Sequence, residues 1–534
     1  MPAWKAPLAA SLLLSSASAL KIPGQQQLKS PGGIEDRGLI GNAIPADLAG
    51  CRPKGKPLVD SAGLQSKISI KRLTSHADTL YNIATTSVAE YNHPTRVIGS
   101  AGHNGTLDYI HSVVSQLGVG KPGSDGYYRV WNQSFPATTG NVRESRLVLN
   151  GTVFSGAAPM GLTPPTLNKE PVYANLTLVA NNGCDATDFP ASVSGSIALI
   201  KRGTCTFGTK SDLAGKAGAV AAVVYNNEDG ALSGTLGTPS PDHIATFGLS
   251  GAEGRPLALS LSNGTRIDGS AYIDSEVRTI QTTNILAQTV AGDPDNCIMV
   301  GGHSDSVAEG PGINDDGSGS ITLLEVATQL SRYNVSNCVR FGWWAAEEEG
   351  LLGSDYYAEN LTPEENLKIR AFLDYDMLAS PNFVYQVYNS VDSENPAGSE
   401  ALRNLYIDFY TQHGLNYTLV PFDGRSDYDG FIRAGIPASG IATGAEGVKT
   451  EEEALIFGGT AGAWYDPCYH QLCDDTKNVN LTAWEINSKL VAHSVATYAV
   501  SFEGFPNRTL DSISTRSASA YNQRTKYRHG KLII

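Results

Sequence analysis

The chain has 534 residues, of which 41% are hydrophobic and 17% charged, and carries a formal net charge of −14. That length exceeds one ordinary core and predicts two domains with flanking segments, while the apolar content excludes a disordered chain. The acidic balance, with no basic cluster beyond a short run from Arg524 to Lys531, excludes nucleic acid and anionic membranes as partners.

Residues 1–19 carry Lys5, an apolar stretch from Leu8 to Leu14 and the small residues Ala17-Ser18-Ala19, the order of a secretory signal peptide. No other apolar run reaches the roughly 18 to 20 residues that cross a bilayer; Ala214 to Val224 comes nearest, and it is short and contains glycines. The expectation is an exported, soluble, monomeric protein that ends outside the cell, or else in a vacuole. Residues 20–55 are rich in Gly, Pro, Gln and Lys without periodicity, as in a leader or propeptide. Residues 56–139 open the main domain, with apolar residues at helical spacing in Leu80, Ile83 and Ala84 and again in Leu107, Ile110, Val113, Val114 and Leu117, predicting two amphipathic helices.

Residues 140–275 change to short alternating runs and glycine-rich turns, with Arg146–Leu149 and Ser196–Ile200 as strands, and predict an inserted β-rich domain. From 276 to 504 strands and helices alternate: strands over Cys297–Gly301, Val339–Trp344 and Ala371–Tyr375, helices over Ser320–Leu330 and Asn487–Tyr498. That order predicts an α/β fold with a mostly parallel or mixed central sheet flanked by helices. Residues 505–534 form a tail.

Asn-x-Ser/Thr acceptors at Asn104, Asn132, Asn150, Asn175, Asn263, Asn334, Asn360, Asn416, Asn480 and Asn507 predict a glycoprotein. Export allows disulfides among the seven cysteines; sequence does not fix their connectivity, and local logic favours Cys184 with Cys205, Cys468 with Cys473, and Cys297 with Cys338, which both open strand-like runs. Cys51 is left over.

His303 and Asp305 follow one predicted strand, and Asn314-Asp315-Asp316-Gly317-Ser318-Gly319 precedes a helix. Glu347-Glu348-Glu349 follows the next strand, Asp376 a third, and His470 comes later. Ligands of open α/β sheets gather beyond the carboxyl ends of the strands. Two histidines, a shared aspartate and further carboxylates form the inventory for a pair of zinc ions that activate water. Asp305, two residues past His303, suits the role of accepting the ring's other N–H. A turn with a helix cap explains Ser318 but not the doubled aspartate. Spacing does not assign the three glutamates, and strand alternation leaves either Asp374 or Asp376 facing the cluster.

The segments Gly302-His303-Ser304-Asp305-Ser306, Gly310 to Gly319, Ala346-Glu347-Glu348-Glu349-Gly350, Asp376-Met377 and Asp466-Pro467-Cys468-Tyr469-His470-Gln471 together resemble the co-catalytic zinc aminopeptidases of the M28 family. The resemblance covers roughly residues 70 to 140 and 280 to 500. It implies two zinc ions per chain, with Asp315 bridging, His303 and Asp376 on one ion, and Glu348 and His470 on the other. It further implies Glu347 as general base, Tyr469 as the hydroxyl that polarises the scissile carbonyl, and Arg425 as a substrate contact. Gly195 to Phe207, followed by Lys210 to Val224, resembles a protease-associated domain, whose implied role is a lid over the site.

The implied activity is removal of N-terminal, apolar residues such as Leu from peptides with a free amino terminus. Within the family, signal peptide, insert and motifs together are most similar to fungal secreted or vacuolar leucine aminopeptidases of the aminopeptidase Y type. The competing readings are another exopeptidase, a glutaminyl cyclase, or a non-catalytic receptor on the same fold. A receptor would have lost ligands that are all present in this sequence.

Overall fold

Strands form where residues bury both faces. Cys297 to His303 is buried throughout, as are Cys338–Trp344 and Ile369–Tyr375. This is the continuous apolar run of a parallel sheet covered by helices, without polar alternation. The computed structural model describes residues 55–120 and 126–509, and the backbone of two further short strands, Tyr527–Arg528 and Lys531–Leu532. The expected signal peptide, nearly all of the expected leader, Cys51, and most of the expected tail lie outside the described residues.

In the main sheet, strands Ala438–Ala442, Ile369–Tyr375, Asp293–His303 and Asn337–Trp344 run parallel in that spatial order. The last of these pairs antiparallel with Asp268–Thr289. On the far side Gln386–Tyr388 lies antiparallel to Ala438–Ala442 and parallel to Thr418–Val420. The sheet is therefore mixed, as expected.

Helix Ile70–Ala84 buries Leu73, Ala77, Leu80 and Ala84, one stripe at helical spacing. Ala101–Gln116 starts on Ser100, whose hydroxyl accepts the His103 N–H. Gly317–Leu330 starts on Asp316, and Leu481–Val500 on Asn480. The last two begin earlier than apolar periodicity alone predicts, because the capping side chain sets the first turn. Among the described residues no helix is long and apolar enough to cross a membrane.

Two 22-residue strands, Tyr128–Leu149 and Asp268–Thr289, form one antiparallel ribbon from Tyr128 opposite Thr289 to Leu149 opposite Gly269. At one end the ribbon joins the main sheet; at the other, Leu147, Leu149, Ala271 and Ile273 enter a second core. There a four-stranded parallel sheet, Val172–Leu178, Ile197–Lys201, Ala221–Tyr225 and Thr246–Leu249, is flanked by helices Phe207–Lys216 and Gly251–Ser262. This region contains helices and buried parallel strands besides the alternating strands that its glycine-rich turns suggest.

The structure forms all three predicted disulfides. Cys297 lies within strand Asp293–His303 and Cys338 near the start of its parallel neighbour Asn337–Trp344. Eight of the glycosylation acceptors are exposed, while Asn334 and Asn480 are half-buried. Asn334 Nδ2 donates to the Lys56 carbonyl at 2.6 Å, and the Asn480 carbonyl oxygen caps its helix.

Candidate active site

Three neighbouring parallel strands end at His303, Trp344 and Tyr375, and the loops that follow them converge. Asp315 Oδ1 lies 3.1 Å from His303 Nε2, and its Oδ2 lies 3.2 Å from His470 Nε2. Asp376 Oδ1 is 3.7 Å from His303 Nε2, and Glu348 Oε2 is 3.2 Å from His470 Nε2. The result is two three-residue groups, His303-Asp315-Asp376 and Asp315-Glu348-His470, that share one carboxylate, with the candidate ligand atoms of each within 4.8 Å of one another. Of the two aspartates that alternation left open, Asp376 joins a group, while Asp374 is fully buried behind it.

Bonds of about 2.0–2.1 Å put neighbouring ligand atoms of a tetrahedral zinc about 3.3–3.4 Å apart, a spacing that the 3.1–3.7 Å separations bracket. Oε1 of Glu348 and Oδ1 of Asp376 are buried and accept no hydrogen bond. A buried carboxylate oxygen without a donor is costly unless a cation faces it. The donor set therefore fits divalent metal.

The electrostatics agree. Burial, then repulsion from Glu348, Asp427 and Asp376, raises the Glu347 carboxyl well above the usual range, against the attraction of His303. Burial and Asp376 hold Asp374 up at about 7. His470 would be lowered by burial, but Glu348 and Asp315 outweigh this and raise it to about 10. Burial would raise Asp315, yet the two histidines hold it below the usual carboxylate range. So much confined negative charge is stable only beside positive charge.

Glu347 belongs to neither group; its Oε2 lies 3.9 Å from His303 Nε2. Asp305 is fully buried, 3.7 Å from His303 Nδ1, and accepts the backbone N–H of Glu347 at 3.2 Å and of Glu348 at 3.3 Å. It thus ties two of the loops together as well as standing behind the histidine. Tyr469 stacks on His470 with ring centroids 3.8 Å apart, inside the loop closed by Cys468–Cys473. Arg425 donates to Glu446 at 2.9 Å, and its charge acts on Tyr469. Ala346, Met377 and His470 all have φ between 51° and 62°, strained backbone at non-glycine residues of the kind found at functional sites.

Other residues complete the frame without a sequence signal. Arg96 is fully buried and donates to the carbonyls of Ser304, Pro311 and Gly312, pinning the segment between His303 and Asp315. Asp474 accepts the backbone N–H groups of Asn314 and Asp315. Ser426 donates to Asp376 Oδ2 at 2.9 Å. Asp316, the second of the doubled aspartates, accepts the N–H groups of His303, Gly319 and Met377. Asp316, which the cap reading of the sequence leaves unexplained, is itself the helix cap. The others come from distant segments.

Carboxylates and histidines clustered at the carboxyl end of a mixed α/β sheet form the donor set that a metal-dependent hydrolase would use. The sequence matches the Peptidase family M28 profile over residues 284–495 and the PA domain profile over residues 170–257. It is 49% identical over 492 residues to Aminopeptidase Y of Saccharomyces cerevisiae, covering 90% of this chain and 88% of that one. It is 40% identical over 459 residues to Leucine aminopeptidase 2 of Arthroderma otae, covering 85% and 89%. An aminopeptidase from Aneurinibacillus sp. strain AM-1 superposes with a TM-score of 0.65 at 25% identity, over 82% of this chain and 95% of that one. The chain belongs to peptidase family M28, and within it to the aminopeptidases.

Proposed function

We propose that the protein is an exported aminopeptidase that removes apolar N-terminal residues such as Leu, with a pair of zinc ions and Glu347 as general base. The carrying observation is Asp315, whose two oxygens are divided between His303 and His470. His303 and Asp376 would hold one ion, Glu348 and His470 the other, and Asp315 both. When bound, zinc supplies Lewis acidity and makes water a competent nucleophile at neutral pH.

Glu347, buried yet outside both ligand groups, takes the proton of the attacking water and returns it to the leaving amine. Its raised proton affinity suits both halves of that transfer. Tyr469 holds its hydroxyl on the substrate carbonyl oxygen, a donor fixed by stacking on His470 and by its disulfide loop. Arg425, held by Glu446, faces the substrate beside Tyr469. The surplus of carboxylates attracts the substrate's free α-ammonium, which makes the enzyme an exopeptidase.

A panel of aminoacyl anilides, N-acylated dipeptides and glutaminyl peptides tests this reading. Leucyl anilide should be cleaved, with N-acetylation abolishing turnover. Preferential cleavage of acylated substrates, or cyclisation of glutamine without hydrolysis, would overturn it. Export and use of the glycosylation acceptors, with the expected destination outside the cell or in a vacuole, follow the same proposal, and endoglycosidase treatment of the secreted protein reads the acceptors directly.

A further inference from the structure

Glu347 and Glu348 sit on the segment Ala345–Gly353, a loop that leaves the end of strand Asn337–Trp344 and runs into the first turn of helix Leu352–Glu359. Ala346 and Leu351 in that loop hold φ of 62° and 58°, conformations that persist only where the surroundings over-determine them. The surroundings are provided by the ribbon that leads to the inserted domain. Asn284, on its strand Asp268–Thr289, has a fully buried side chain. Its Oδ1 accepts the Ala345 N–H at 3.0 Å, and its Nδ2 donates to the Gly353 carbonyl at 2.8 Å.

One amide thus closes the loop at both ends. The same Nδ2 donates at 3.0 Å to Oε1 of Gln133, the residue directly opposite Asn284 on the other strand of the ribbon. An amide with one acceptor and two donors, all used and all shielded from water, has one orientation available. Packing reinforces it. Ala345 and Ala346 are fully buried against Ile98, Phe135 and Ala137, and Phe135 stacks on Tyr356 at 5.2 Å. Thr139 on the ribbon donates to Glu349 at 3.2 Å, so the third glutamate of the run faces the ribbon while Glu348 faces His470.

We infer that Asn284, supported by Gln133, is a positioning residue for the reaction: it clamps the two ends of the Ala345–Gly353 loop and thereby sets where the Glu347 carboxylate stands. The inference rests on the proposed role of Glu347. It also gives the ribbon a function in catalysis that is separate from any lid formed by the domain beyond it. The hydrogen bonds from Asn284 to the segment are to backbone atoms of Ala345 and Gly353, so the clamp acts through the backbone.

The test uses the full-length zinc-loaded enzyme with N284A and Q133A, and E347Q as reference. A misplacement of about 1 Å costs about 10²-fold in rate. N284A should therefore lower kcat by about that factor with KM within about threefold, zinc content intact, and faster amide hydrogen exchange confined to residues 345–353. Q133A, which removes only the support, should lower kcat by several-fold in the same pattern. A folded N284A with wild-type kcat and wild-type loop exchange would overturn the inference. If N284A does not fold, wild-type kcat and loop exchange in Q133A would overturn it equally. Near-normal kcat in E347Q would instead sink the assignment of the base, while loop exchange in N284A still reports on the clamp.

Discussion

Replacing Glu347 by Gln keeps the shape of the side chain and removes its ability to take a proton. Its side chain is only 11% exposed and lies 3.9 Å from His303 Nε2, so bulk water has little access to substitute for it. A general base contributes about 10²- to 10⁴-fold, and this enclosure favours the upper half of the range. The expected fall in kcat is about 10³- to 10⁴-fold, about 4–5 kcal/mol of barrier. Because Glu347 belongs to neither ligand group, zinc content should match wild type and KM should change little. Removing a carboxyl whose ionised form is opposed by burial and by Glu348, Asp427 and Asp376 should also raise the melting temperature of the metal-free protein. Steady-state kinetics on leucyl anilide, metal analysis and calorimetry on one preparation read all three. A kcat within tenfold of wild type at full zinc content would refute the reasoning.

Breaking the Cys468–Cys473 and Cys297–Cys338 disulfides should separate activity from stability. Serine substitution in the first, with five residues of separation, should cost about 2 kcal/mol by loop entropy but at least tenfold in kcat, since it frees Tyr469 and His470. In the second, with a separation of 41, it should cost about 4 kcal/mol and leave the kcat of the folded fraction near normal. Arg96→Met should destabilise by about 3–5 kcal/mol in urea unfolding, because three backbone carbonyls and several buried carboxylates lose their cation. His103 is held neutral by burial, with its pKa lowered to about 4 from 6.5. The unfolded chain binds that proton first, so stability is full above pH 6.5 and falls as pH drops toward 4, by about 3 kcal/mol. His103→Gln should flatten that acid limb of the melting curve, and an unchanged limb would remove His103 as its source.

How much of this was legible in the sequence depended on whether the signal was local. His303, Glu347, Glu348 and Asp376 each follow a buried apolar run by one to four residues, so the strand ends alone point to them. The doubled aspartate was visible as an anomaly, and its division of labour follows from packing: Asp315 faces the histidines and Asp316 caps a helix and two loops. Arg96, Asp474 and Asn284 carry no local signal, because their partners at the site lie 61 to 216 residues away in the chain. The ribbon was legible only in part. Arg146–Leu149 reads as a short strand, whereas the observed strand begins at Tyr128; its exposed polar middle hides a continuity that only pairing with Asp268–Thr289 reveals.

The central claim is that two metal ions, sharing Asp315, carry the chemistry. The most direct measurement is zinc per chain against kcat while chelator-treated enzyme is titrated with zinc. Activity should be abolished by chelation, return with zinc, and reach its plateau at two ions per chain, with Asp315→Ala unable to recover either ion at full affinity. Activity that survives metal-free dialysis, or that saturates at one ion per chain, would contradict the account.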